Sequence, residues 1–157
     1  MSNAKQPSLT VSDLKKHVGF WLRFVSNHVS HAFARKLLAS RVTVAEWVVM
    51  REMFADEKTS PGILAQRMGM TRGGVSKLVD RLVTKKLVTR QDRSDDRRFQ
   101  SIALTAAGRE MVPRLAALAD RNDQEFFDPL SADERTALLA TLKKLVQAHG
   151  LRKLPTE

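Results

Sequence analysis

Thr71, Arg72, Ser76, Lys77 and Arg81 are the residues whose types and spacing point most directly to chemistry. Val75, Leu78, Val79 and Leu82 recur among them at three- and four-residue steps, which predicts a helix with one apolar side. The polar set then shares the opposite side. Hydroxyl, ammonium and guanidinium groups so arranged bond phosphate oxygens and reach base edges in a DNA major groove. The helix start at Thr71 is also favourable for a phosphate. Gly73-Gly74 would cost about 1 kcal/mol per glycine inside a helix. In a first turn the cost is smaller, and the bare backbone can come close to a nucleic acid. One exposed lysine such as Lys77 is ordinary surface; the constellation carries the reading.

A second charged group lies just beyond. Leu87–Arg90 and Ser101–Leu104 read as two short strands. The turn between them holds Asp96, Arg97 and Arg98 and is too charged to be a mere connector. The 157-residue chain carries 27 Lys and Arg against 17 acidic residues, a formal net charge of +10. Such a surplus favours a polyanionic partner, because each neutralised phosphate releases condensed counterions. The basic residues are dense from Lys77 to Arg98, within the same motif.

Other chemistries find less support. The chain has no cysteine, which excludes disulfides, thiolate zinc sites and a cysteine nucleophile. No phosphate-binding glycine loop and no catalytic arrangement of serine and histidine stands out, so no enzyme is expected. His28-x-x-His31 offers two metal ligands, but a site needs three or four. His17 would lie about 16 Å from His28 along a helix, at roughly 1.5 Å per residue. No metal and no cofactor are expected. Trp21 and Trp47, with Arg23, His28, Met50 and Arg51 nearby in sequence, could form aromatic walls with a cationic group for a small aromatic acid. The alternative is that both tryptophans belong to the core.

These groups need a scaffold. A first helix is expected from about Thr10 to Ala39, capped by Thr10-x-x-Asp13. Leu14, Val18, Trp21, Val25, Val29, Ala32 and Leu37 form one stripe, and Phe20, Phe24 and Phe33 a second. A helix apolar on two sides is buried on two sides, against its own core and a partner subunit. Thr43-x-x-Glu46 is a capping box opening a helix with Val44, Trp47, Val48 and Phe54 inward. Ser60-Pro61 starts a short helix that ends near Gly69. Thr105 opens a long helix with a kink at Pro113 and an end at Pro129. Ser131-x-x-Glu134 opens a last helix, lined by Leu138, Leu142, Leu145 and Val146 and closed by Gly150. The fold class is mainly α, a winged helix-turn-helix with N- and C-terminal dimerisation helices and a small β-hairpin wing. Residues 10–40 and 105–150 make the helical dimerisation region, and residues 43–104 the winged helix-turn-helix. No apolar run reaches the roughly 18 residues of a membrane span, and no secretory signal is visible, so a cytoplasmic protein without a membrane partner is expected.

Leu64-Ala65-x-x-Met68-Gly69 followed by Val75-Ser76-x-Leu78-Val79-x-Arg81-Leu82 resembles the helix-turn-helix of the MarR family of bacterial regulators. Asp96-Arg97-Arg98 and Ile102-x-Leu104-Thr105-x-x-Gly108 resemble its wing and the start of the following helix. The motif matches are specific between residues 60 and 108, and the element order fits from about 10 to 150. The resemblance implies an intertwined, triangular homodimer. It also implies a wing arginine that enters the minor groove, oriented by an aspartate two residues earlier. Arg98 and Asp96 hold those places, with Arg97 the alternative. Small aromatic or phenolic acids commonly bind members of the family. Lys86 stands where the family commonly has glycine, so the exit from the recognition helix is expected to differ slightly, and Ser94-Asp95 lacks the usual wing proline.

The expected function is sequence-specific binding of double-stranded DNA at a pseudo-palindromic operator by a homodimeric transcription repressor, with release by a small aromatic acid. The alternative is an architectural or RNA-binding winged-helix protein without ligand sensing. The absence of tyrosine, with the phenylalanines mostly on helical stripes, disfavours single-strand recognition by stacked aromatics.

Overall fold

The computed structural model describes residues 11–91 and 101–152. The first long helix, α1, spans Val18–Leu37. It starts later than expected, because Asp13 caps a separate 3-10 turn over Leu14–Lys16 and His17 is extended (φ −89°, ψ 126°). Thr10 lies outside the described residues. After α1 a second 3-10 turn, Leu38–Ser40, leads to Arg41 in the left-handed region (φ 53°), which redirects the chain.

Thr43 and Glu46 make the expected capping box at the start of α2, Val44–Met53. The inward face of α2 differs from the expectation at one position: Val48 is exposed, while Val49, Met50 and Met53 are buried with Trp47. Val48-Val49-Met50 is an unbroken apolar run, and packing rather than pattern fixes which of them faces inward. Ser60 caps α3, Pro61–Met68, with proline in the first turn, and Gly69 closes it at φ 62°. Thr71 caps α4, Arg72–Thr84, whose Val75, Leu78, Val79 and Leu82 are all buried.

Strands β1, Val88–Gln91, and β2, Ser101–Leu104, pair antiparallel with Val88 opposite Leu104 and Gln91 opposite Ser101. A third segment joins them. Thr59 and Ile102 exchange both backbone hydrogen bonds, at 2.9 and 2.8 Å, placing β2 between β1 and the approach to α3. Thr105 caps α5, Ala106–Phe126, which runs through Pro113 without a break. Ser131 and Glu134 form a second capping box, opening α6, Ala132–Ala148. Gly150 follows it at φ 57°.

One core joins these elements: Phe33 and Leu37 of α1, Trp47, Met50 and Met53 of α2, Leu64 of α3, the inner face of α4, and Val112 and Leu115 of α5. Asn122 is a buried polar residue on α5. Its amide nitrogen donates to the Val29 carbonyl and its oxygen accepts from Lys36, both at 3.3 Å, so it is satisfied across the α1–α5 seam. By contrast α6 buries no side chain within the chain. Among the described residues no helix is long and apolar enough to cross a membrane.

Candidate nucleic-acid interface

The apolar side of α4 locks the helix onto the core, and its other side is open. Thr71, Arg72, Lys77 and Arg81 are exposed there, and Ser76 is half-buried. The Thr71 hydroxyl accepts the Gly74 N–H at 3.1 Å. A Cβ at Gly74 would press on that hydroxyl at 3.1 Å, whereas one at Gly73 would meet nothing within 4 Å among the described residues. Gly73 therefore leaves bare backbone on the open side of the first turn. The Arg72 guanidinium lies over Gly62 of α3, about 3.8 Å from where a Cβ there would stand, so this arginine packs against the first helix of the motif. The five residues expected to face DNA are gathered on one helix. Asp96, Arg97 and Arg98 lie outside the described residues.

Two residues not singled out from sequence belong to this surface. Asp80 is the sole acid within α4, and its carboxylate pairs with Arg90 of β1, tying α4 to the root of the hairpin. An acid on an otherwise basic face calls for a partner, and that was the available signal. The partner's position ten residues on could not be read from helix spacing, because the chain turns between them.

The C-terminal end of α4 is fixed twice. Lys86 itself adopts the left-handed conformation (φ 60°). Its N–H donates to the Val83 carbonyl at 2.9 Å, and the Leu87 N–H donates to Leu82 at 3.0 Å. This is the paired bonding of a Schellman cap, with buried Leu82 and Leu87 supplying the apolar contact. The expected difference at the helix exit is therefore absent: lysine takes the conformation that glycine would adopt more cheaply. One residue earlier, Lys85 Nζ donates to Glu46 Oε2 at 2.6 Å and to the Arg41 carbonyl at 2.7 Å. Glu46 is 1% exposed. Burial opposes its ionisation, but hydrogen bonds from Lys85 and Thr43 and the charge of Lys85 outweigh burial and hold the carboxyl below its usual range.

Leu87 also carries the wing's other leg. Its carbonyl accepts the Thr105 N–H at 3.0 Å, and the Thr105 hydroxyl donates to the Lys86 carbonyl at 2.9 Å. Gly108 lies so close beneath that a Cβ would fall 2.2 Å from the Leu87 oxygen. The Thr105-x-x-Gly108 pattern thus has a steric cause. Arg109 in the next position donates to the carbonyls of Phe54 and Asp56, at 3.3 and 2.7 Å, holding the end of α2.

The residues considered for a small ligand are not brought together. Trp47 and Met50 are buried in the core, with Trp47 edge-on to Phe33 at 6.3 Å. Trp21 is 48% exposed on α1, packed with Phe20 and Phe24, and its indole donates to the Lys15 carbonyl at 2.8 Å. Arg23, His28 and Arg51 are exposed. Sequence proximity grouped them, but Trp21 and Trp47 belong to different environments. Of the six, Trp21 alone lines the apolar groove of about 730 Å³ between α1, the end of α5 and α6, where Val25, Val29, Phe126, Leu130 and Leu138 complete the walls. His28 Nδ1 lies 2.7 Å from the Phe24 carbonyl, and among the described residues no three His, Asp or Glu side chains form a metal cluster.

A helix-turn-helix on a shared core, followed by a hairpin bonded to a third extended segment, defines a winged helix-turn-helix protein. Residues 42–98 match the model of the MarR family. A Thauera aromatica protein assigned to transcriptional regulation of the hcr operon is 28% identical over 145 residues, covering 92% of this chain and 87% of that one. A MarR variant from E. coli, solved with operator DNA, superposes with a TM-score of 0.76 at 25% identity, covering 86% of this chain and 99% of that one. Bordetella bronchiseptica BpsR shares the fold, with a TM-score of 0.76 at 24% identity, over 87% of this chain and 97% of that one. Through its winged helix-turn-helix segment the chain is similar to the MarR family of transcriptional regulators.

Proposed function

We propose that this regulator is a homodimeric repressor that binds double-stranded DNA at a pseudo-palindromic operator, placing α4 in the major groove and the Asp96–Arg98 wing turn at the flanking minor groove. The observation that carries the reading is the two-sided character of α4: four buried apolar residues anchor it, and Thr71, Arg72, Ser76, Lys77 and Arg81 stand on the other side. The E. coli MarR variant solved with operator DNA supports it. The second copy is argued from α6. A 17-residue helix with no side chain buried in its own chain exposes Leu138, Leu142, Leu145 and Val146. Beside it Trp21, Phe24 and Val25 of α1 are also exposed. Apolar surface of this extent gains stability when covered, and a second copy brings each helix to two for an intertwined interface. A dimer also matches two half-sites about one helical turn, roughly 34 Å, apart. Such a protein works in the cytoplasm.

The effector in this reading is a small aromatic acid that releases the operator. BpsR, whose DNA binding is regulated by 6-hydroxynicotinic acid, supports that class, and Trp21 at the groove offers an aromatic wall. An effector shifts the equilibrium only by binding the DNA-incompetent form more tightly.

The test is selection of genomic duplex fragments by the purified protein, followed by mobility shifts on the selected duplex, its single strands and the matching RNA. A recovered inverted repeat, bound far better as duplex than as single strand or RNA, is the expected result. Equal binding to RNA, or no sequence enrichment, would favour an architectural or RNA-binding role instead.

A further inference from the structure

One carboxylate–ammonium pair gathers three elements. Glu46 Oε2, buried at the start of α2, accepts the Thr43 N–H at 2.9 Å and the Lys85 ammonium at 2.6 Å. The same ammonium donates to the carbonyl of Arg41, the left-handed residue that ends the α1 segment, at 2.7 Å. Lys85 is the cap of α4. We infer that the Lys85–Glu46 pair is a positioning device that sets the pose of the recognition helix against the end of α1, and through it the separation of the two recognition helices in a dimer. The inference rests on the proposed function.

The physical case has three parts. The side chains of α4 that meet the core are aliphatic, and apolar contacts are non-directional. They seat the helix on the core, but they carry no directional bond at its C-terminal end. A charge-assisted hydrogen bond to a buried carboxylate is short and directional, and it acts at the end of the helix farthest from Thr71. Without Lys85 the buried Glu46 carboxylate would keep only its bond from the Thr43 N–H, which is costly for a buried charge, so the pose with the pair made is preferred. Asp80–Arg90 ties the same helix to the wing, but both belong to the winged part. Lys85 is the polar tie that reaches from α4 to the end of α1.

The pair is tested with Lys85→Met, which keeps the aliphatic stem, and Glu46→Gln, which keeps a capping-box side chain at that position. Each full-length variant is checked for helical content and dimerisation. It is then titrated with the selected duplex and with duplexes whose half-sites are one base pair closer or farther apart. Wild type should show a sharp spacing optimum. Both variants should lose affinity at that optimum, Lys85→Met by about tenfold, and lose discrimination between spacings. Lys85→Arg should restore part of both.

Glu46→Gln separates positioning from charge, because removing an acid from a protein that binds a polyanion would by itself tighten binding. Weaker binding with an unchanged salt slope supports the inference. Unchanged or tighter binding with the wild-type spacing optimum overturns it while leaving the proposed function standing. If wild type shows no preference for duplex, the proposed function fails and this inference falls with it.

Discussion

Lys85 Nζ and Glu46 Oε2, 39 residues apart in sequence, meet at 2.6 Å where the recognition helix ends and α2 begins. The carboxylate is buried and the ammonium is one-third exposed. Lys85 and Thr43 together overcome the penalty of burial and keep the Glu46 carboxyl below the ordinary glutamate range. Its folded-state value is therefore depressed relative to the unfolded chain. The resulting stabilisation is complete above the unfolded value, about 4.3, and is lost as pH falls through the folded one. Thermal midpoints of wild type and Glu46→Gln should differ most near neutral pH and converge below about pH 4. A difference that stays constant down to pH 3 would contradict this.

Gly108→Ala places a methyl 2.2 Å from the Leu87 carbonyl oxygen, a backbone atom that cannot swing aside. Either α5 or the wing root must shift, weakening the Thr105 N–H bond to that oxygen. A loss of about 2–3 kcal/mol is expected from overpacking and the damaged bond together. Urea unfolding reads it directly, and a midpoint equal to wild type would refute the steric account.

Lys86 holds a left-handed backbone at a cost of about 1–2 kcal/mol for a residue with a side chain. Lys86→Gly relieves that strain but adds freedom to the unfolded chain. The net expectation is a gain of about 0.5–1 kcal/mol. Lys86→Val should destabilise, because β-branched residues tolerate this region worst. The two variants moving in the same direction would exclude the cap geometry as the cause.

On the side of α4 proposed to face DNA, Lys77→Ala and Arg81→Ala should weaken duplex binding without changing thermal stability, since both side chains are exposed. Arg98→Ala should also weaken duplex binding. Each lost phosphate contact should lower the salt slope by about one counterion unit. A lost bidentate base contact should cost about 1–3 kcal/mol and relax preference at one position. If all three bind like wild type, α4 and the wing are not the binding surface.

Leu142→Asp places a charge on the exposed apolar stripe of α6. The folded protein should then sediment as a monomer at micromolar concentration while wild type sediments as a dimer. A variant that stays dimeric would place the second copy elsewhere.

Local signals made much of the fold legible. Thr43-x-x-Glu46, Ser60-Pro61, Thr71, Thr105 and Ser131-x-x-Glu134 each cap the helix they were expected to open. The buried side of α4 followed from its period alone. Capping and periodicity act within one turn of chain, so they survive reading without a structure. What escaped was long-range. Thr59 contributes a single bridge to β2, too short to show alternation. Glu46 was read as a cap, and nothing near it announced a partner at Lys85. Trp21 and Trp47 looked like neighbours because helices bring near residues together, but the turn between α1 and α2 sends one to the core and leaves the other on the outer groove.

The knot at Leu87 bears on how motion travels. Its N–H closes the recognition helix, its carbonyl receives the first residue of α5's cap, and Gly108 sits against that carbonyl with no space for a methyl. Helix, wing root and α5 start are thus joined as a gear is keyed to its shaft: α5 cannot tilt there without turning the reading head as one piece. At the far end of α5, toward the groove beside Trp21, side chains hold the seam with α1 instead: Asn122 bonds Val29 and Lys36 at 3.3 Å, and Lys36 pairs with Glu125 at 2.7 Å. Amide exchange should show the contrast, with the Leu87 and Thr105 N–H groups among the slowest in the protein and a gradient of faster exchange toward Phe126.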